Sequence, residues 1–396
     1  MNKKKILILG AGAWQVPYII KAKEMGLYVL ATDWETNPIG SCYADEFSSI
    51  SVRDLKTSLV YAESHNIDAV FTNSDVGVPT AAFIANKMNL PCYSMEQAEL
   101  ATNKYLMRNK IKAIGLNVPK YYLCSNKEEL FYAYEQIGGK AILKPVDNCG
   151  SRGVCIIENE DILNNACQEA FDNSFSGKVL LEELMIGSES SVEVLVDKGQ
   201  EFIMGWCKKQ KSPYPFRYDI RLDYYNQDYS EWENTKVKEM VNRLVKGINI
   251  LDGIMHIEFI WTIDGIKIIE FALRGCGSNV ITHLMPTLRG FDVMKFVLNK
   301  SLNIDTPIEF TDNRYGTLKF IIPSQGKVRQ VSGVEKILQM PFVVDFGSDL
   351  KKDYVVGDIK NGRNRPAYFI VVGDSVAEVD SYIAKVEHTF NIEYYD

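Results

Sequence analysis

Three stretches of this chain have residue types and spacings that suit chemistry on a phosphorylated ligand. The first is Ala141–Val154, AILKPVDNCGSRGV. A short apolar strand, Ala141 to Leu143, ends on Lys144. A polar, glycine-bearing loop from Asp147 to Gly153 follows, and a β-branched strand starts at Val154. A lysine at a strand end aims a point charge at one spot, and glycines let backbone N–H groups approach an anion closely. Together they suit a phosphate clamp; a hairpin with a glycine turn and a solvated lysine fits the same letters. The P-loop pattern GxxxxGK[ST] is absent here, because the lysine precedes the glycines. The second stretch is His256–Trp261 and Lys267–Ala272, two apolar runs joined near Asp264-Gly265, which place Glu258 and Glu270 on adjacent strands. An unpaired charge within an apolar run is costly, and carboxylates facing phosphates suit Mg²⁺. A solvated face of an edge hairpin is the other reading. Arg274, four residues past Glu270, adds a fork suited to phosphate or carboxylate. The third is Val179–Glu189, an apolar strand running into Glu182-Glu183-Leu184-Met185 and Gly187. Such a hinge can offer backbone groups to a flat heterocycle while Glu189 reaches a sugar. A strand end with solvated acids is the alternative.

The elements that must position these residues follow from length and pattern. At 396 residues the chain predicts roughly two to three domains. Its net charge of −7 argues against nucleic acid or an acidic membrane as partner. No apolar run approaches the roughly 20 residues of a membrane helix. Ile6–Leu9 is broken by Gly10-Ala11-Gly12, too early for a signal peptide, so the expected location is the cytoplasm. The eight cysteines form no CxxC pair and suit a reducing compartment. Residues 6–88 alternate strand and helix, which predicts a doubly wound parallel sheet with Gly12, Asp33 and Thr72–Asp75 at the ligand-binding strand ends. The first glycine turn suggests a dinucleotide site, weakened by Gln15 where the third glycine would stand. Met95–Ile114, with Lys104 and Arg108, has helical period. Ser125–Glu128 has capping-box spacing. Lys208–Tyr225, basic, aromatic and proline-bearing, reads as a mobile lid over an anionic substrate. From Tyr315 the chain is β-rich. Of the four histidines, only His283 suggests a role.

In this order, Asn103-Lys104, Lys144 with its glycine loop, Glu182–Glu189, Glu258, Glu270 and Arg274 resemble the ATP-grasp superfamily over nearly the whole chain. The nearest branches are carbamoyl-phosphate-synthase-like proteins, amino-acid ligases and purine-pathway ligases. The resemblance implies an α/β ATP-grasp fold, with an N-terminal biotin-carboxylase-like domain (1–92), an ATP-grasp domain (93–302) and a small β-rich C-terminal domain (303–396). It implies ATP and Mg²⁺, with Mn²⁺ able to substitute. Lys104 and Lys144 would bind the phosphates, with Gly150, Ser151 and Gly153 folding over them. Glu183 and Met185 would meet the adenine through backbone groups and Glu189 would bond the ribose, with Glu182 also counted as cofactor-binding. Glu258 and Glu270 would hold the metal, and Arg274 would stabilise an acyl phosphate. The expected activity is joining a small carboxylate to an amine, amino acids among them, with ADP and phosphate released; a homodimer is compatible. One departure stands out: Ala272 occupies the place of a metal-binding asparagine. A nucleotide-binding regulator and a nicotinamide oxidoreductase remain as alternatives.

Overall fold

The structure is a computed structural model describing residues 3–150, 152–213, 216–225 and 227–395. The amino-terminal part contains β1 (Lys5–Leu9), α1 (Val16–Glu24), β2 (Tyr28–Asp33), β3 (Glu46–Ser49), α2 (Leu55–His65), β4 (Ala69–Phe71) and α3 (Val78–Met88). Its four strands form a parallel sheet in the order β3-β2-β1-β4. β1 is apolar without alternation because both its faces are covered: Ile6 and Ile8 join one core cluster, Leu7 and Leu9 another.

The helical stretch after it is two helices, α4 (Met95–Thr102) and α5 (Lys104–Ala113). Asn103 divides them. Its side chain accepts from the backbone N–H groups of Tyr105 and Leu106, capping α5 and making Lys104 its first residue. A small antiparallel sheet follows, built from β5 (Tyr121–Cys124), β6 (Ala141–Pro145), β7 (Cys155–Ile157) and β8 (Val179–Glu183), in the order β5-β8-β6-β7. It is backed by α6 (Lys127–Ile137) and α7 (Glu160–Asp172). The cap of α6 is Asn126, one residue later than the spacing suggested: its carboxamide oxygen accepts from the Glu129 N–H at 2.8 Å.

The large antiparallel sheet uses β9 (Ser188–Asp197), β10 (Gln200–Lys211) and β11 (Asp219–Tyr224), then, after α8 (Glu231–Gly247), β12 (Gly253–Thr262) and β13 (Gly265–Ala272). The expected mobile lid over Lys208–Tyr225 is therefore mostly strand. Lys208 pairs with Asp223 and Lys209 with Leu222, the register being offset by a bulge at Gln210/Lys211. Cross-strand pairing with β9 and with the later strand Tyr315–Ile321 holds the two flanks, Lys208–Lys211 and Asp219–Tyr224, in the sheet. After α9 (Met285–Arg289) and α10 (Val293–Ser301) come β14 (Tyr315–Ile321), β15 (Gly326–Ser332), α11 (Val334–Leu338), β16 (Val343–Ser348), β17 (Val355–Val356), β18 (Ala367–Gly373), α12 (Val376–Thr389) and β19 (Asn391–Tyr394). Three of these tail strands extend the central sheet, which runs β13-β12-β9-β10-β11-β14-β18-β16. The carboxy-terminal residues thereby share a sheet with Glu258 and Glu270. Among the described residues no helix is long and apolar enough to cross a membrane.

The hinge before β9 passes close to β12. A Cβ on Gly187 would lie 1.9 Å from the Trp261 carbonyl oxygen. Gly187→Ala is expected to destabilise the protein by about 1–3 kcal/mol, the range for forced overpacking, as measured by urea unfolding.

Candidate active site

The strand end of β6 buries Lys144 beside Glu182 of β8, and the two form an ion pair. Arg108, one turn along α5 from Lys104, completes the cluster. Its Nε donates to Glu182 Oε1 at 2.5 Å and its Nη2 to Oε2 at 3.2 Å. Burial alone would raise the Glu182 carboxyl, but Arg108 and Lys144 hold it down at about 2. Burial lowers the Lys144 ammonium; Glu182 opposes this, while Arg108 and Lys104 add to it. One acid between two bases leaves a surplus positive charge in a buried site, and Arg108 Nη1 has no partner there. An anion is the group that would offset this surplus. Lys104 stands at the same place: its Nζ donates to the carbonyl of Asn148 in the glycine loop at 2.6 Å.

Arg108 also reaches the other half of the site, donating to the Ile269 carbonyl at 2.6 Å. Ile269 precedes Glu270 on β13, and Glu270 faces Glu258 directly in the register of β12. Like charges opposite each other on neighbouring strands repel unless a cation intervenes. The fold supplies cations to one of the two. Glu258 Oε1 accepts from Lys209 Nζ at 2.8 Å and pairs with His256 Nε2 at 3.1 Å. Burial would raise the Glu258 carboxyl, yet Lys209 and His256 keep it well below the carboxylate range. Glu270 has no hydrogen-bond or ion-pair partner among the described residues. An oxygen-only donor set with one uncommitted carboxylate fits Mg²⁺. Ala272 offers no ligand to it.

Glu270, Lys104, Asn148, Asp75 and Ala272 line one cavity of about 230 Å³. Lysine and carboxylate, 166 residues apart in sequence (270 − 104), thus face a common space.

Sequence reasoning passed over the support behind Glu258. Glu193, fully buried on β9, pairs with His256 Nδ1 at 2.6 Å and accepts the Cys276 N–H at 3.0 Å. Burial would lower the imidazole, but Glu193 and Glu258 raise it to about 9. The stabilisation from protonated His256 is complete below its ordinary value of about 6.5 and fades as pH rises through about 9. The melting temperature should therefore fall across that window, and His256→Gln should flatten the slope. The available signal was the i, i+2 spacing of His256 and Glu258, which puts both on one strand face.

The other candidates are distributed as follows. Arg274 is gripped by Asp75, with Nε to Oδ1 at 2.9 Å and Nη2 to Oδ2 at 2.7 Å. Glu189 is held by Lys211 at 2.8 Å and Arg217 at 2.9 Å. Glu182 is committed to its cation cluster. The Glu183 N–H bonds to Lys120 O at 2.8 Å within the hinge that also holds Met185. Gly153 has φ of +65° and packs on Pro145 and Asn173. Ser151 lies outside the described residues. Gly150 approaches the carboxy-terminal region, where a Cβ would meet Arg363 Nη2 at 2.8 Å. The first glycine turn is closed on itself. Asp33 accepts the Ala11 N–H at 2.8 Å, and the Gln15 side chain packs against Gly10, so the acid at this strand end is already engaged.

Residues 137–283 match the family model of the ATP-grasp domain. With the architecture above, the chain has the mixed α/β ATP-grasp fold. Within it, residues 319–395 match a second model, L-amino acid ligase C-terminal domain 2. The chain is similar to the L-amino acid ligase from Bacillus licheniformis, with a TM-score of 0.82, 18% identity and full coverage of both chains. It is also similar to phosphoribosylglycinamide synthetase from Anaerococcus prevotii, at 0.78 and 19% over all of both chains. Among curated sequences it shares 23% identity with a phosphoribosylamine–glycine ligase of Methanococcus maripaludis, over 99% of this chain and 95% of that one.

Proposed function

We propose that this protein is an ATP- and Mg²⁺-dependent ligase that joins a carboxylate to an amine through an acyl phosphate, releasing ADP and phosphate. The observation that supports this most is the convergence of Lys104 and the uncommitted Glu270 on one cavity, beside a buried cluster holding a surplus positive charge. Bound Mg²⁺ would neutralise phosphate charge as the γ-phosphoryl group transfers. Lys104 and Lys144 hold phosphate oxygens, Gly150 and Gly153 let the loop close over them, and Glu258 and Glu270 hold the metal. The hinge at Glu183–Met185 receives the adenine and Glu189 the ribose. Arg274, aligned by Asp75, steadies the acyl phosphate. Such chemistry is positioning plus charge neutralisation, and it needs no acid–base pair.

Amino acids are the proposed substrate class. The L-amino acid ligase domain match over 319–395 and the two relatives named for joining an amino acid support this. Residues 1–92, 93–302 and 303–396 are read as its three units, and a cytoplasmic homodimer as its setting. The test is release of ADP and phosphate from ATP across a panel of amino-acid pairs. Pair-dependent release that disappears in Lys104→Ala supports the ligase. Saturable ATP binding without turnover over the whole panel would replace it with a nucleotide-binding regulator, the reading that Ala272 favours. Saturable NADH binding that ATP leaves untouched would favour the nicotinamide oxidoreductase, against which the engaged Asp33 speaks.

A further inference from the structure

A larger cavity, of about 780 Å³, lies where the amino-terminal sheet, the central sheet and α10 meet. One part of its wall is apolar, formed by Val78, Ala81 and Ala85 from α3, Ile254 from β12, Leu273 and Val297, while Tyr93, Ser94, Gln97 and Ser301 add polar groups. Its mouth carries three asparagines, Asn86, Asn249 and Asn303. Their carboxamides have no hydrogen-bond partner among the described residues. The two lysines there are committed: Lys198 pairs with Asp305 at 2.7 Å, and Lys300 with Asp252 at 2.8 Å and with Asp197. No cation is left to hold a phosphate or a carboxylate. An apolar wall with polar neighbours and open carboxamides suits an uncharged molecule with a flat apolar body and an edge of paired donors and acceptors. That is the chemistry of a nucleobase.

The two cavities stand back to back. Thr72 and Val78 line the large one, while Asp75, Val76 and Pro79 of the same segment line the small one. The end of β13 divides likewise, with Glu270–Ala272 facing the small cavity and Leu273 the large. The partition is clamped by the Asp75–Arg274 fork. We propose that the large cavity is an effector site for an uncharged nucleobase-bearing molecule, and that its occupancy sets the position of the Asp75–Arg274 pair. Only the second half of this rests on the proposed ligase.

The experiment is calorimetric titration of adenosine, inosine, cytidine and uridine into the full chain saturated with MgADP, so that any adenine-binding cleft is filled. The expected result is one-to-one binding of at least one nucleoside. Ala85→Trp, which fills the cavity, should abolish it while MgADP still binds. Asn86→Ala, at an exposed helix position, should weaken it about 5–10-fold, the scale of one hydrogen bond. Absence of binding by all four nucleosides overturns the site, as does binding that both variants leave unchanged. Should Ala85→Trp not fold, Asn86→Ala decides alone. If MgADP itself does not bind, the ligase reading fails, and the effect of the two variants on nucleoside binding still decides the cavity. For the coupling, the bound nucleoside should change the wild-type ATP turnover at least 2-fold; unchanged turnover overturns that half.

Discussion

Glu182→Ala is expected to lower the unfolding free energy by about 3–5 kcal/mol, the scale for breaking a buried ion pair by removing one partner. The substitution strands Arg108 and Lys144, both almost fully buried, with no counter-charge. It also releases the tie from β8 through Arg108 to β13. Urea denaturation measures the effect. Exposed pairs such as Lys236–Glu239 provide the control, since their loss should stay below about 1 kcal/mol. The pH dependence of the wild type has a defined sign. Because Glu182 is depressed to about 2, its contribution is present above the ordinary carboxylate value and is lost as pH falls toward about 2. A loss for Glu182→Ala no larger than that of the exposed control would show that water already reaches the cluster.

Glu270→Ala should act on turnover and leave stability nearly untouched. Its carboxylate has no hydrogen-bond or ion-pair partner among the described residues, so the melting temperature should stay close to wild type. Removing one preorganised charge from the reacting site should lower amine-dependent ADP release about 10²–10³-fold, with a higher Mg²⁺ requirement. Glu258→Ala makes the contrast. There, Lys209 and His256 lose a shared acceptor, so stability and turnover should fall together. If Glu270→Ala retains wild-type turnover at limiting Mg²⁺, the metal role assigned to this carboxylate is wrong, whatever the overall activity of the enzyme.

Much of the framework is written in local pattern. The continuous apolar run of β1, the helix Val78–Met88, the β12–β13 hairpin turning at Asp264-Gly265 and the glycine loop after Lys144 all follow from periodicity and turn chemistry acting over a few residues. The order of the charged motifs was also enough to point to the ATP-grasp fold. What local pattern could not supply is which charge neutralises which. The Lys208–Tyr225 stretch has a loop's composition, yet Lys208–Lys211 and Asp219–Tyr224 within it are strand because β9 and β14 lie on either side. Glu258 and Glu270 look equivalent in their apolar runs, but Lys209 and His256 engage only the first. Arg274 finds Asp75 across 199 residues, and Arg108 finds Glu182 across 74. Coulomb and hydrogen-bond energies depend on distances of a few ångströms in space, and only the packed chain sets those distances.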